Sequence, residues 1–119
     1  MAEIAPRTLS SRVIDAGFAS STVVYEPLGT VLSIMPWNFP MWQFFRFAAP
    51  ALLAGNAVLL KHAPSTMGCG IMAARICAMS GIPPGLVTDL RVGVGVVADI
   101  IADDGISAVT FTGSTVGGS

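Results

Sequence analysis

Thr30 to Pro40, TVLSIMPWNFP, constrains this chain more than any other stretch. The apolar and β-branched run from Thr30 to Met35 reads as a buried strand. It stops at Pro36, which has no N–H to continue a ladder, so the strand ends in a forced turn. Pro40 restricts Phe39 to extended geometry and sits where a helix would begin. One amide side chain, Asn38, is thereby held in a rigid loop between two aromatics and two prolines, at the carboxyl end of a strand. Open α/β sheets bind ligands at that end. Asn38 can stabilise a developing oxyanion without exchanging a proton, and the competing reading is a turn asparagine bonded to its own backbone.

The composition bears on what surrounds that loop. The chain has 119 residues, 53% hydrophobic and only 11% charged, with mean hydropathy +0.74. An ordinary soluble domain is about 25% charged, and a small one needs relatively more polar surface. This points to an interior piece of something larger. A membrane span is the alternative, but Gln43, Arg46 and Asn56 interrupt the longest apolar tract, Met41 to Leu60, and Pro50 and Gly55 divide it. It is therefore a poor match to the ~20 apolar residues of a span. A net charge of −1 gives no basic footprint for nucleic acid. The first residues, MAEIAPRTLSS, lack signal or transit character, so a cytoplasmic location is expected. Cys69 and Cys77 stand about 12 Å apart along one predicted helix, too far for a disulfide, and read as buried small apolar residues.

Residues 1–29 form an N-terminal segment: a helical end near Ile4 to Leu9, irregular chain, then a strand over Ser21 to Tyr25 closed by the turn Glu26-Pro27-Leu28-Gly29. Residues 30–119 read as a partial α/β domain. After the first strand come a helix from Met41 to Ala54, kinked or restarted at Pro50, and a strand from Ala57 to Leu60 ended by Lys61. A helix capped by Ser65 or Thr66 runs to about Ser80, with Gly68, Gly70, Ala73 and Ala74 allowing close approach to the sheet. A strand at Leu86 to Val92, a helix at Val96 to Asp103 and a strand at Ala108 to Thr112 complete a right-handed, Rossmann-like parallel unit with flanking helices.

The stretch YEPLGTVLSIMPWNFPMWQFFRFAAPALLAGNAVLLKHAPST, followed by FTGST near the C-terminus, resembles the start of the cofactor-binding domain of the aldehyde dehydrogenase superfamily. Within it the chain is most similar to the succinate-semialdehyde dehydrogenase branch, from roughly Ala5 onward. The resemblance implies a truncated NAD(P)-binding domain, a parent family that is oligomeric, and a small aldehyde as substrate of the complete enzyme only. In such enzymes the strand at Ser21 to Tyr25 belongs to an arm joining subunits, whose partner strands are missing here.

Three features then acquire expected roles. Lys61, otherwise readable as a solvated strand-end cation, corresponds to the lysine that binds the adenosine ribose. Pro64 stands where many NAD-preferring members carry glutamate, so NADP should be tolerated or preferred over NAD. Gly93-Val94-Gly95-Val96-Val97-Ala98 matches G-x-G-x-x-A, but no acid follows at about 20 residues. Gly93 and Gly95 are accordingly turn formers leaving room for a cofactor. Gly113, Ser114 and Gly118 fit the pyrophosphate-lining motif, with a flexible glycine-rich tail as the alternative. The resemblance also assigns Ile34, Met35, Pro36 and Trp37 to cofactor binding and Asn38 to catalysis, with no metal. His62 reads as a loop residue. The family's nucleophilic cysteine and base glutamate are not matched by Cys69, Cys77 or any local motif. The chain is thus expected to contribute part of an NAD(P)-dependent aldehyde dehydrogenase and to be inactive alone. The alternative is a non-enzymatic remnant or assembly fragment.

Overall fold

The computed structural model of the protein describes residues 3–118. Four strands, β3 (Thr30–Met35), β4 (Ala57–His62), β5 (Val87–Asp89) and β6 (Ala108–Phe111), form one sheet in the order β5-β4-β3-β6, and all its pairings are parallel. Ahead of it lie a short helix α1 (Ala5–Leu9) and a small antiparallel ribbon of β1 (Arg12–Val13) and β2 (Thr22–Val23). The connections between sheet strands carry α2 (Pro40–Leu53), α3 (Met67–Met79) and α4 (Val97–Ile101). This is the α/β parallel architecture that the alternating pattern predicted.

β3 occupies the residues expected of it and is buried at four of its six positions. Parallel strands covered on both faces need such continuous apolar runs. Met35, Val58 and Leu60 point into a core closed by Phe44 and Ala48 of α2 and Ala73 and Cys77 of α3. The neighbouring positions Ile34 and Lys61, paired across β3 and β4, point to the other face, toward Val97 and Ile101 of α4. α2 and α3 thus cover one face, and α4 lies over the other.

Several expectations change. α2 starts at Pro40 and passes through Pro50 without restarting; Pro50 is exposed, where its missing donor disturbs no packing. β4 continues past Leu60 through Lys61 and His62, both buried. β5 is three residues long rather than seven, and α4 is preceded by a 3-10 turn, Val94–Val96. On α3 the face toward the sheet is Gly70, Ala73 and Cys77, while Gly68 is exposed and Cys69 half-buried. Thr66 precedes α3 without a side-chain cap; its hydroxyl donates to the Ala63 carbonyl at 3.3 Å. The strand near Ser21 to Tyr25 pairs on one side, Thr22 and Val23 with Val13 and Arg12, and as part of a two-stranded ribbon it keeps its other edge unpaired among the described residues.

One buried side chain fixes the entry to the sheet. Asn56, after the left-handed Gly55 that ends α2, accepts from the Leu28 and Gly29 N–H groups at 2.7 and 3.2 Å and donates to the Ala51 carbonyl at 3.1 Å. The turn before β3 is thereby tied to the end of α2.

Candidate functional site

The strand order reverses between β3 and β6, because the chain moves outward through β4 and β5 and then returns to the other side of β3. A crevice opens outside the carboxyl ends of strands at such a switch point. The Pro36–Phe39 loop stands there. Phe39 is left-handed, with φ 51° and ψ 50°, instead of extended. The proline after it disfavours the right-handed helical region, and a left-handed residue turns the chain straight into α2, where the Phe39 carbonyl accepts from the Gln43 N–H at 2.9 Å. Left-handed geometry in a residue with a side chain costs about 1–2 kcal/mol. Asn38 is exposed, and its amide has no hydrogen-bond partner among the described residues, so the turn-asparagine reading is not what the loop uses.

On the α4 side of the sheet lies a cleft of about 460 Å³. Ile34 and Lys61 form its floor, Val109 and Phe111 of β6 one side, Val94, Val97 and Ile101 another, and Gly117 and Gly118 its rim. Lys61 is only 4% exposed, so it is not a solvated strand-end cation. Its Nζ donates to the His62 carbonyl at 3.3 Å and faces no carboxylate in an ion pair among the described residues. A buried ammonium with one neutral acceptor keeps two donors for a ligand in that cleft. The glycine-rich end is ordered as a 3-10 turn, Thr115–Gly118, in place of a free tail. It lies against the Phe111 ring, so closely that a Cβ on Gly117 or Gly118 would come within 3.1 Å of it.

The opposite face holds a separate polar group. His62 is 2% exposed, with neither ring nitrogen hydrogen-bonded, so it is the buried end of β4 and not a loop residue. Burial lowers its pKa, opposed by the Asp89 carboxylate and the Pro36 carbonyl and reinforced by Lys61. A smaller hollow of about 170 Å³ between α1 and the end of α2 is lined by Ile4, Ala5, Thr8, Leu9, Pro50, Leu53 and Ala54 and has no titratable group.

Of the residues singled out in the sequence, the cleft brings together Ile34, Lys61 and Gly118, with Gly93 and Gly95 flanking its Val94. Pro36, Trp37 and Asn38 stand in the loop beyond the end of β3. The Met35 side chain lies in the core, and its carbonyl accepts from the Ala63 N–H at 3.0 Å. Pro64 is exposed at the start of the 3-10 turn Pro64–Thr66. Gly113 and Ser114 do not line the cleft; Ser114 accepts from the Gly117 N–H through its carbonyl and hydroxyl, at 3.1 and 3.3 Å. Sequence reasoning missed Val97, Ile101, Val109 and Phe111. The alternation of β6 and the i, i+4 spacing in α4 were the available signals.

A sequence model of the aldehyde dehydrogenase family matches residues 1–119. The chain is 45% identical over 118 residues to a protein of Synechocystis sp. named probable succinate-semialdehyde dehydrogenase (NADP(+)), covering 99% of this chain and 26% of that protein. It is 44% identical over 118 residues to a succinate semialdehyde dehydrogenase (NAD(P)+) of Escherichia coli K12, with the same coverage. The crystal structure of succinic semialdehyde dehydrogenase from Streptococcus pyogenes in complex with NADP+ superposes with a TM-score of 0.93 at 29% identity, over 98% of this chain and 26% of that one. The chain thus spans about a quarter of the length of these relatives. With the family match running from end to end, the chain belongs to the aldehyde dehydrogenase family.

Proposed function

We propose that this chain supplies the dinucleotide side of an NADP- or NAD-dependent aldehyde-oxidising site, with a semialdehyde as the substrate class of the complete enzyme. The observation that carries this reading is Lys61: a buried cation without a carboxylate, on the floor of a cleft at the carboxyl ends of parallel strands. Its ammonium donates to ribose hydroxyls or a phosphate, and both the charge and the cleft volume fit a dinucleotide. Val94, Val97, Ile101 and Phe111 offer apolar surface for a planar ring. When bound, the nicotinamide accepts the hydride that leaves the aldehyde carbon.

Asn38 acts beside that site. Its unengaged amide N–H groups, held between prolines, donate to the oxygen of the aldehyde as negative charge develops there. Removal of one such donor from an oxyanion hole costs about 10²–10³ in kcat. Neither cysteine of the chain is placed to attack the carbonyl. Cys77 is buried against the core, and burial raises its thiol pKa, whereas a nucleophile needs an exposed, lowered one. Cys69 belongs to the same helix, on the face of the sheet away from the cleft. The 119-residue chain is accordingly expected to produce no NAD(P)H from aldehyde.

Pro64 supports the choice of cofactor. No carboxylate stands at this position to accept from a 2′-hydroxyl or repel a 2′-phosphate. Calorimetric titration of the chain with NADP and with NAD tests the reading. We expect NADP to bind at least as tightly, and Pro64→Glu to move the ratio toward NAD; absence of binding by either dinucleotide refutes the function, and an unchanged ratio refutes the role of Pro64.

A further inference from the structure

Phe111 is a wall of the cleft, and its ring has a second set of neighbours. It ends β6 in register with Ile34 of β3, and Ile34 pairs with Lys61 of β4. Paired residues share a face of the sheet, so the three side chains stand in one row on the α4 side. The Thr112 N–H donates to the Ile34 carbonyl at 3.0 Å and fixes the end of the strand. From there the chain folds back over its own aromatic. An added Cβ on Gly113 would collide with Cζ of the ring and stand 3.0 Å from Cε1 and Cε2. On Gly117 it would meet Cζ at 3.1 Å, and on Gly118 it would meet Cε1 at 3.1 Å and Cδ1 at 3.3 Å. Three glycines thus surround one ring, each where a side chain would strike it. The turn between them closes through Ser114, whose carbonyl and hydroxyl accept from the Gly117 N–H at 3.1 and 3.3 Å. Gly93 and Gly95, across the cleft, differ: an added Cβ on either has nothing within 4 Å.

We propose that Phe111 is a positioning residue for the glycine-rich rim of the cleft: its ring is the template on which Gly113 to Gly118 settle, and positions 113, 117 and 118 are glycine because the ring fills the space a side chain would need. Gly113 answers to the ring and not to the cleft, which it does not line. Gly117 and Gly118 do form the rim, so the ring sets where the rim stands relative to the row that carries Lys61. A rim ordered beforehand spares a ligand the entropic cost of ordering it. The benefit to binding rests on the dinucleotide role of the cleft; the packing of the turn on the ring does not, and it is read without any ligand.

Carbon-correlated NMR of the 119-residue chain gives that readout. The Hα signals of Gly113, Gly117 and Gly118 should be displaced by the ring current of Phe111, and Phe111→Leu should return them to ordinary glycine values while the Val58 and Leu60 methyls stay. Gly113→Ala should displace the signals of Gly117 and Gly118 in the wild-type background. The atoms its methyl strikes, Cζ, Cε1 and Cε2, are those a leucine lacks, so the same substitution should be accommodated in Phe111→Leu. Calorimetric titration with NADP reads the consequence for the cleft. Gly113→Ala should weaken binding about 10-fold in the wild-type background, through loss of the ordered rim, and less than about 2-fold further in Phe111→Leu. Glycine signals at ordinary values in the wild-type chain, or Gly113→Ala effects that add in full to those of Phe111→Leu, overturn the proposal, and the wild-type spectrum decides this even where a variant does not fold. Ring-shifted glycines in a chain that binds no dinucleotide refute the function and leave the packing of the rim standing; dinucleotide binding with unshifted glycines does the reverse.

Discussion

Lys61 is a charge placed where stability alone would not put one. The residue is only 4% exposed, yet its ammonium meets only a backbone carbonyl. An apolar side chain of similar length should suit the folded chain at least as well. Lys61→Met is therefore expected to keep or raise the melting temperature and to weaken dinucleotide binding about 10- to 100-fold, the loss of a charged hydrogen bond of about 1.5–3 kcal/mol. A thermal melt and a binding titration on the same variant separate the two effects. Phe39 is the other residue whose geometry works against stability. It is 73% exposed and left-handed, so Phe39→Gly relieves strain with little packing lost, and a stabilisation of about 1 kcal/mol should appear in urea denaturation. The position of the Asn38 loop was legible in the sequence because prolines act on their immediate neighbours, although Phe39 before Pro40 is left-handed and not extended as expected. The burial of Lys61 and His62 was not, since it arises from tertiary packing, against the remote α4 on one face and against Gly70 of α3 and Asp89 on the other.

Among the elements, those defined by their own residues were read closely and those defined by partners were not. The bounds of β3 follow from six residues and a proline, and α2 follows from its apolar spacing between Pro40 and Gly55. β1 has two residues and exists only through its pairing with β2, so no local pattern announces it. β5 stops at Asp89 because only Val87 to Asp89 pair with β4, although the apolar sequence continues through Leu90 and Val92. Asn56 was read as part of a helix stop, whereas it joins two elements by three hydrogen bonds. Asn56→Ala leaves the Leu28 and Gly29 N–H groups without their acceptor, at about 1–3 kcal/mol for each that water does not reach, while the Ala51 carbonyl keeps the backbone N–H of residue 56. A fall in the urea midpoint of that order, with unchanged slope, checks the role of this junction.

The described residues have a radius of gyration of 16.6 Å, against about 13.5 Å for a compact chain of this length. Large apolar side chains are exposed on the ribbon, the loop, the cleft and the C-terminal turn alike: Val13 and Phe18, Trp37 and Phe39, Val94, and Val116. The high apolar content anticipated this surface, which the core formed by α2, α3 and the sheet does not absorb. No helix among the described residues is long and apolar enough to cross a membrane. At this scale the chain also has a pH dependence set by its one histidine. Burial lowers the folded-state pKa of His62, so the unfolded chain binds more protons once the pH falls below the ordinary imidazole value. The stability contribution is complete above that value and is lost as pH falls through the folded-state pKa. Denaturation at pH 7.5 and pH 5 should show the loss, and His62→Gln should abolish the histidine's part of it.

The claim on which the account turns is that the Lys61 cleft takes a nicotinamide dinucleotide. A thermal melt of the chain, followed by Trp37 and Trp42 fluorescence with and without millimolar NADP, addresses it most directly. Ligand that binds only the folded state adds RT ln(1 + [L]/Kd) to stability. A cooperative transition that moves upward with NADP, and moves clearly less in Lys61→Met, is the predicted result. A transition indifferent to NADP in the wild-type chain, or one raised equally in the Lys61→Met variant, contradicts the assignment.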